Sequence, residues 1–305
     1  MKLVDLKLEE PLYHFTTTSA MESILASGEF WLFDVSKSND DRELSVGWEH
    51  FAGIMEAEAQ SRLNAPLASR FVEWAEERYK SFETGSNKFY ATCMTTSASS
   101  DRMWQEYSDG HKGVCMGFDT SAMKRLAQSI ARPTRVAYIG GLGRREDQKA
   151  VTGLIQRGID ICATQYGKVD DDRLLFGVVP NLVSYLASSV KTSKWAYEGE
   201  VRFSNVQVAD CSEPPAPSVL NPGRLVRRQQ VKQLPDPRYS GESKGYMEAP
   251  FARQRRDCLD QAGSVLTVVL GADCEYSERD TEELLGDLGY RRVVVRRHHR
   301  RAAVA

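Results

Sequence analysis

The sequence of 305 residues lacks the common motifs of phosphate and metal chemistry. It has no Walker A loop, no GxGxxG fingerprint, no GxSxG elbow and no HExxH pair, and residues 140–143 form only a glycine-rich turn. Its six cysteines are scattered and include no CxxC pair, so neither a zinc site nor a disulfide framework is expected. The sequence therefore predicts no bound metal.

Long apolar segments are also missing. No apolar run approaches the roughly 18 residues that a membrane-spanning helix needs. Residues 1–15 carry charges inside their apolar part and no small-residue cleavage site, which does not fit a signal peptide. Hydrophobic residues make up 41% of the chain and the formal net charge is −2, as in ordinary globular proteins. We expect a cytoplasmic protein that does not contact a membrane.

Charge is distributed unevenly, with a basic C-terminus. The last fifteen residues hold six arginines and two histidines and no acid. Such a segment indicates either a nucleic-acid or acidic partner, or a solvated end after the last strand. We treat residues 298–305 as a basic tail.

Helical and strand patterns alternate irregularly along the chain, which favours an α+β fold over a regular parallel α/β sheet. We expect a mixed or split β-sheet with flanking helices, in one domain spanning residues 1–297. Two stretches, 42–82 and 144–190, have apolar residues at helical spacing and are interpreted as helical insertions. The second is expected to break near Pro180, because proline disrupts a helix interior.

A compact unit opens the chain. Residues 12–16 (LYHFT) predict a strand, a helix is expected from a capping box at Ser19 to Gly28, and residues 29–33 predict a second strand. The polar loop that follows contains Asn39 and Asp40. This unit brings a histidine, aromatic side chains and polar loop groups into one neighbourhood.

The stretch WAYEGEVRF, residues 195–203, predicts an amphipathic strand. Bulky apolar residues fall on one face, and Glu198, Glu200 and Arg202 fall on the other. Carboxylates two residues apart on one strand lie roughly 7 Å apart and repel each other. The three charged side chains lie either on an ordinary half-exposed strand, in which Arg202 offsets the repulsion, or in a functional site.

These segments together resemble the bacterial domain-of-unknown-function family 2971. The resemblance runs in order across most of the chain and includes Lys191 ahead of the Glu198–Arg202 row. Its other segments are residues 12–16, 27–32, Asn39-Asp40 with Glu43, 103–107 (MWQEY), and 111–118 (HKGVCMGF).

The order of an early YHxT strand, a helix, an aromatic strand and a late ExE strand is similar to the NAD-dependent ADP-ribosyltransferases. The resemblance implies that His14 binds the adenosine ribose, with Thr16 on the same strand as a further NAD-binding residue, and that Glu200 holds the nicotinamide ribose. It implies that Glu198 orients the acceptor. An aromatic side chain, Trp31 or Tyr107, would stack on nicotinamide.

This second resemblance implies an enzyme that uses NAD as a substrate and modifies a macromolecular acceptor, either protein or nucleic acid. By analogy, such an enzyme acts as a toxin or a phage-defence effector. A fixed carboxylate near the ribose stabilises the oxocarbenium-like transition state of nicotinamide release. Lys191 and Arg202 are candidates for binding the phosphates.

Other interpretations remain open. His14 fits a satisfied structural histidine, Trp104 and Tyr107 fit core packing, and Asn39-Asp40 fits a turn or cap before a helix at Glu43. The chain could instead be an NAD glycohydrolase, or a non-catalytic module that binds nucleic acid or nucleotide. The enzyme hypothesis requires His14 and Glu200 to face one cleft.

Overall fold

A computed structural model describes residues 10–38, 40, 42–119, 123, 132–140, 145–168, 171–208, 232–235, 243–250, 253–255, 258–260 and 265–299. The α-helices are α1 (Thr18–Ser27), α2 (Val46–Arg62), α3 (Ala65–Glu83), α4 (Asp101–Tyr107), α5 (Arg145–Gln165), α6 (Asp171–Ser188) and α7 (Glu278–Asp287). Short 3-10 helices lie at Val35–Lys37 and Ser193–Glu198. Among the described residues, no helix is long and apolar enough to cross a bilayer.

The strands form one large mixed sheet and two small pairs. They are β1 (Leu12–Thr16), β2 (Glu29–Asp34), β3 (Asn87–Thr95), β4 (Val114–Phe118), β5 (Arg132–Arg135), β6 (Ala137–Ile139), β7 (Val190–Thr192), β8 (Glu200–Val208), β9 (Lys232–Pro235), β10 (Ser243–Pro250), β11 (Arg253–Arg255), β12 (Cys258–Asp260), β13 (Val265–Leu270) and β14 (Val294–Arg297). The large sheet has the order β14-β13-β4-β1-β3-β2-β10-β9, with β8 on β3 and β5 on β8. The β13–β14 pair is parallel and the other pairs of this sheet are antiparallel. The predicted α+β class with a mixed sheet is confirmed.

Strand β3 has one continuous edge and one divided edge. Strand β8 pairs with β3 over its full length. The opposite edge pairs with β2 at Tyr90 and Ala91, and with β1 at Thr95. Because a strand has only two edges, β1 and β2 share this one and diverge between Ala91 and Thr95. We call this divergence the fork.

The two faces of the sheet pack against different helices. Helices α2, α3, α5 and α6 cover one face and share a core with Phe89 and Ala91 of β3; we call this the helix-bundle face. Helices α1 and α7 cover the other, where their apolar residues pack with Tyr90, Val201 and Phe203; we call this the α1 face. The alternation of side chains along β3 and β8 separates the two cores.

Helix α1 is capped by a different residue from the one predicted. The side chain of Thr17 accepts a hydrogen bond from the Ala20 amide at 3.2 Å, whereas Ser19 already lies inside the helix. Thr17 has the extended backbone typical of an N-cap residue, with ψ 163°. At the other end, Gly28 terminates the helix in the left-handed conformation, as predicted.

The stretch from residue 195 to residue 203 is not one strand. Ser193–Glu198 form a 3-10 helix, Gly199 follows with φ 51° and ψ 43°, and β8 begins at Glu200. A left-handed residue interrupts an extended backbone, and glycine adopts this conformation because it has no Cβ to clash. The predicted alternation across 195–203 is therefore wrong, although β8 alternates from Glu200 onward.

The predicted break at Pro180 is also wrong, because α6 continues through it. Its neighbours Val179 and Leu182 are fully buried in the helix-bundle core. This packing outweighs the roughly 3 kcal/mol that an interior proline costs. The Asn181 side chain also donates a hydrogen bond to the Gly177 carbonyl at 2.8 Å.

Candidate functional site

Five charged side chains form a buried cluster at the start of β8. They come from the loop before α2, from β7, from the 3-10 helix and from β8 itself, and each is at most 6% exposed. The members are Glu43, Lys191, Glu198, Glu200 and Arg202. Three carboxylates and two cations without access to water must compensate one another within the cluster. We call these five residues the acid–base cluster.

Arg202 anchors the cluster to the sheet. Its Nε lies 2.6 Å and its Nη2 3.1 Å from the two carboxylate oxygens of Glu200. Its Nη1 donates to the Ser188 carbonyl at the end of α6, at 2.5 Å, and its Nη2 also donates to Glu43. The guanidinium therefore joins the sheet, helix α6 and the loop before α2, a fork-like use of arginine that lysine cannot reproduce.

Lys191 is the second cation of the cluster and contacts all three acids. Its Nζ lies 2.8 Å from Glu200, 2.9 Å from Glu198 and 3.2 Å from Glu43. Burial on its own lowers the pKa of Lys191, but the attraction of Glu200 and Glu43 outweighs this and raises the pKa above its ordinary value. The three carboxylates therefore favour the charged form of Lys191.

Glu198 and Glu200 experience opposite environments. For Glu200, burial would raise the pKa, but attraction by Arg202 and Lys191 prevails and lowers the pKa well below its ordinary value. For Glu198, burial prevails over the attraction of Lys191 and raises the pKa. Such a split between two nearby carboxyls is the arrangement by which acid–base sites obtain one ionised and one protonatable group.

Tyrosines complete the surroundings of both carboxyls. Tyr107 on α4 donates a hydrogen bond to Oε1 of Glu198 at 2.5 Å. The hydroxyl of Tyr138 accepts a hydrogen bond from the Glu200 amide at 2.9 Å. Tyr107 was among the residues predicted from the sequence, whereas Tyr138 was not, because its only signal is an aromatic residue in a short apolar strand.

His14 does not share a face with Glu200. Tyr13 pairs with Thr95, and Thr95 pairs with Glu200, so these three side chains lie in one row on the helix-bundle face. Side chains alternate along β1, which places His14 on the α1 face. There its ring makes an edge contact with Phe30, with 5.3 Å between centroids. The expectation that His14 and Glu200 face one cleft is therefore not met.

His14 instead lies at the fork, where its Nδ1 donates a hydrogen bond to the Cys93 carbonyl at 2.9 Å. Burial lowers the pKa of His14 below its ordinary value, and this hydrogen bond opposes the effect only in part. Thr16, two residues along β1, lies on the same face as His14 and away from Glu200. The structural interpretation of His14 fits these contacts.

The candidate aromatic residues occupy different environments. Trp31 lies on the helix-bundle face, because Phe33, two residues along β2, pairs with Ala91 on that face. It is half-buried and contacts Phe33 edge-on at 6.3 Å. Trp104 is fully buried, packs edge-on against Phe15 and donates to the Ala98 carbonyl at 3.0 Å. Trp104 is therefore a core residue, and Trp31 remains on the face of Glu200.

The polar loop before α2 supports the cluster from one side. The Asp40 carbonyl accepts a hydrogen bond from the Glu43 amide at 3.1 Å, and its carboxylate accepts one from the Arg42 amide at 3.3 Å. Asp40 is buried and its Oδ1 lies 3.9 Å from Nζ of Lys194. Asp40 thus shapes the turn that presents Glu43 to Arg202. Asn39 lies outside the described residues.

The basic C-terminus is partly used inside the fold. Arg297 donates from Nη1 to the carbonyls of Gly271 and Cys274, at 3.0 and 2.9 Å, and from Nη2 to that of Tyr276 at 2.5 Å. This arginine fixes the loop after β13. Residues 300–305 of the tail lie outside the described residues.

Comparison with known proteins supports the first of the two resemblances. No curated protein matches the chain, and no solved structure matches it. Residues 103–203 match the model of a family described as "Protein of unknown function (DUF2971)". The matched segment covers about a third of the chain and contains Tyr107, Lys191 and the Glu198–Arg202 row, so the acid–base cluster lies largely within a segment similar to that family.

Proposed function

We propose that the protein binds NAD, cleaves its nicotinamide–ribose bond and transfers ADP-ribose to a macromolecular acceptor. The observation that carries the proposal is the row Tyr13–Thr95–Glu200, which places β1 and β8 along the two edges of β3 at one end of the sheet, although the His14 side chain points to the opposite face. Two strand spacings separate β1 from β8, or about 10 Å. The fork beside this row is the feature that favours an ADP-ribosyltransferase-like split sheet.

The two carboxyls have the properties that this reaction requires. As the bond to nicotinamide breaks, its electron pair leaves with nicotinamide and positive charge develops on the ribose. The ionised Glu200 stabilises that charge. Glu198, whose pKa is raised, accepts the proton of the attacking acceptor group as the new bond to the ribose forms.

Two features define what the proposal requires of the chain. Both oxygens of Glu200 are held by Arg202 and Lys191, so Lys191 has to release Glu200 and turn toward a phosphate when NAD binds. His14 lies on the opposite face, which counts against the ribose contact that the resemblance implied, so the proposal assigns His14 no contact with NAD. Trp31, on the face of Glu200, is the proposed partner for nicotinamide.

The test is nicotinamide release from NAD by the full chain, with the mass of added proteins and oligonucleotides followed in parallel. We expect Glu200→Gln to reduce release by about 100-fold to 1,000-fold, the cost of removing one preorganised charge-stabilising group. Glu43→Gln is the matched variant, because it removes another buried carboxylate bound by Arg202 and Lys191. Thermal unfolding of both variants identifies losses that arise from instability.

Release that is unchanged in Glu200→Gln would overturn the proposal. So would equal losses in both variants accompanied by equal losses of stability, which would identify the cluster as structural. Release of nicotinamide without a gain of mass in any acceptor would instead assign an NAD glycohydrolase. The toxin and phage-defence roles stay predictions by analogy.

A further inference from the structure

Asp101, His111 and His298 meet beside Trp104, outside the acid–base cluster. Asp101 is the first residue of α4, His111 lies in the turn after that helix, and His298 directly follows β14. Segments far apart in the chain are thus brought together by the pairing of β4 with β13 and of β13 with β14. No local sequence spacing could have identified this group.

The geometry of the three side chains suits one metal ion. One candidate ligand atom from each residue lies within 4.8 Å of the other two, and His111 Nε2 is 3.8 Å from Asp101 Oδ1. With zinc bonds of about 2.0–2.2 Å, neighbouring ligand atoms in a tetrahedral site lie about 3.3 Å apart. The Asp101 side chain is 77% exposed, so it can swing by the remaining distance.

The two imidazoles are held in place before any ligand arrives. Their ring planes are within 16° of each other, with 5.9 Å between centroids. Trp104 lies nearly parallel to both rings, with its centroid 4.7 Å from that of His298 and 6.3 Å from that of His111. Because Trp104 is itself fully buried, the orientation of the rings is fixed by the core.

His111 carries two further signs of a ligand site. It is 3% exposed, yet its Nδ1 has no hydrogen-bond partner among the residues that the structure describes. A buried polar atom without a partner costs about 1–3 kcal/mol, which a cation bound at Nδ1, and not one bound at Nε2, would offset. The residue also has φ 72°, a left-handed conformation that residues other than glycine adopt rarely, histidine more often than most, and that clusters at ligand and active sites.

The backbone around His111 fixes this strained conformation. Its amide donates to the Trp104 carbonyl at 3.2 Å, and its carbonyl accepts from the Asp273 amide at 3.1 Å. A Cβ on Gly271 would come within 1.9 Å of the same carbonyl oxygen, so only glycine allows the two loops to pack this closely. The ring is therefore presented at a defined position.

We propose that Asp101, His111 and His298 bind one divalent first-row transition metal. Two imidazoles and one carboxylate favour Zn²⁺, Co²⁺ or Ni²⁺ over Ca²⁺ and Mg²⁺, which prefer all-oxygen ligands. Water fills the remaining positions, since Asp101 borders the solvent. The ion joins α4 to the end of β14 and stabilises the folded chain by mass action.

The test is titration of the full chain, freed of metal by chelation, with Co²⁺ and with Zn²⁺. We expect one ion per chain, a ligand-field absorption band with Co²⁺, and a higher thermal unfolding temperature with Zn²⁺. His298→Ala and Asp101→Asn should each weaken metal binding at least tenfold. Removing residues that only hydrogen-bond to metal ligands already lowers metal affinity about 10–100-fold. Asp101 is exposed, so its variant is expected to fold normally.

His299→Ala is the matched control, because it removes the neighbouring exposed histidine and should leave the affinity unchanged. Absence of stoichiometric binding by the full chain would overturn the proposal. Binding that is retained in both His298→Ala and Asp101→Asn, or lost equally in His299→Ala, would overturn it as well.

Discussion

The Tyr107 hydroxyl donates a hydrogen bond to Oε1 of Glu198 at 2.5 Å. This bond joins helix α4 to the 3-10 helix that Glu198 ends. The other oxygen of Glu198 is held by Lys191 at 2.9 Å. Both oxygens of this buried carboxyl thus have a hydrogen-bond donor, one of them neutral and the other charged. The phenol supplies the neutral one from a helix that is otherwise anchored by Trp104.

Replacing Tyr107 with phenylalanine tests this hydrogen bond. Tyr107→Phe leaves a buried oxygen of Glu198 without its donor, so we expect the free energy of unfolding in urea to fall by about 1–3 kcal/mol. The pKa of Glu198 should rise further, because the Tyr107 hydrogen bond lowers it. Tyr166→Phe, at an exposed tyrosine, should change stability by less than about 0.5 kcal/mol and serves as the control. Equal effects of the two substitutions would contradict the inferred role.

Arg202 offers a second test, on the energetics of the acid–base cluster. Arg202→Met should destabilise the chain by about 3–5 kcal/mol, because it leaves two buried carboxylates, Glu200 and Glu43, without their main cation. Removing the Glu43 charge as well, in Arg202→Met with Glu43→Gln, should cost less than the sum of the single changes.

The control for this series is Arg42→Ala, which removes an exposed arginine paired with Glu49 and should cost at most about 1 kcal/mol. Denaturant unfolding measures all four variants. Strict additivity of the Arg202 and Glu43 changes would mean that the two side chains do not share a network.

His14 makes stability depend on pH near neutrality. Its pKa in the folded chain is lowered from 6.5, so the unfolded chain binds more protons below that pH. The stabilising contribution is therefore complete above pH 6.5 and is lost as the pH falls toward the folded-state pKa. His14→Asn keeps a donor for the Cys93 carbonyl and removes the titration, so its stability should change less with pH over this range.

Urea unfolding at intervals between pH 5 and pH 7.5 measures the effect. His50→Asn, at an exposed histidine, should keep the pH dependence of the unchanged chain. A His14→Asn variant with the same pH dependence as the unchanged chain would show that His14 titrates normally when folded.

Much of the local structure follows from sequence patterns. Alternation identified β1 and β2, helical spacing identified α2 and α3, and Gly28 ends α1 as predicted. These features depend on residues within one turn or one strand of each other. Local chemistry is sufficient to predict them.

The predicted strand from residue 195 to residue 203 was wrong because Gly199 interrupts it. Alternating hydrophobic and charged residues from 195 to 203 suggest one strand, but a glycine in the middle permits a left-handed turn. Glu198, directly before Gly199, ends a 3-10 helix, and Glu200, directly after it, begins strand β8. A glycine inside an alternating pattern indicates such an interruption and could have predicted it.

The composition of the candidate site was only partly predictable. The resemblance drew attention to Glu198, Glu200 and Lys191, which do meet. It also placed His14 beside them, and the register of β1 on β3 reverses that expectation. Registers between distant strands depend on the whole sheet and leave no trace in a short motif.

The divided edge of β3 gives the sheet a seam. Within the described residues, backbone pairing joins the β2-β10-β9 part to the β1-β4-β13-β14 part through β3 alone. A change of twist between the two parts can alter the distance from β1 to β2 while the β3–β8 ladder stays intact. The His14 imidazole bridges this seam, because it bonds the Cys93 carbonyl of β3 and packs against Phe30 of β2.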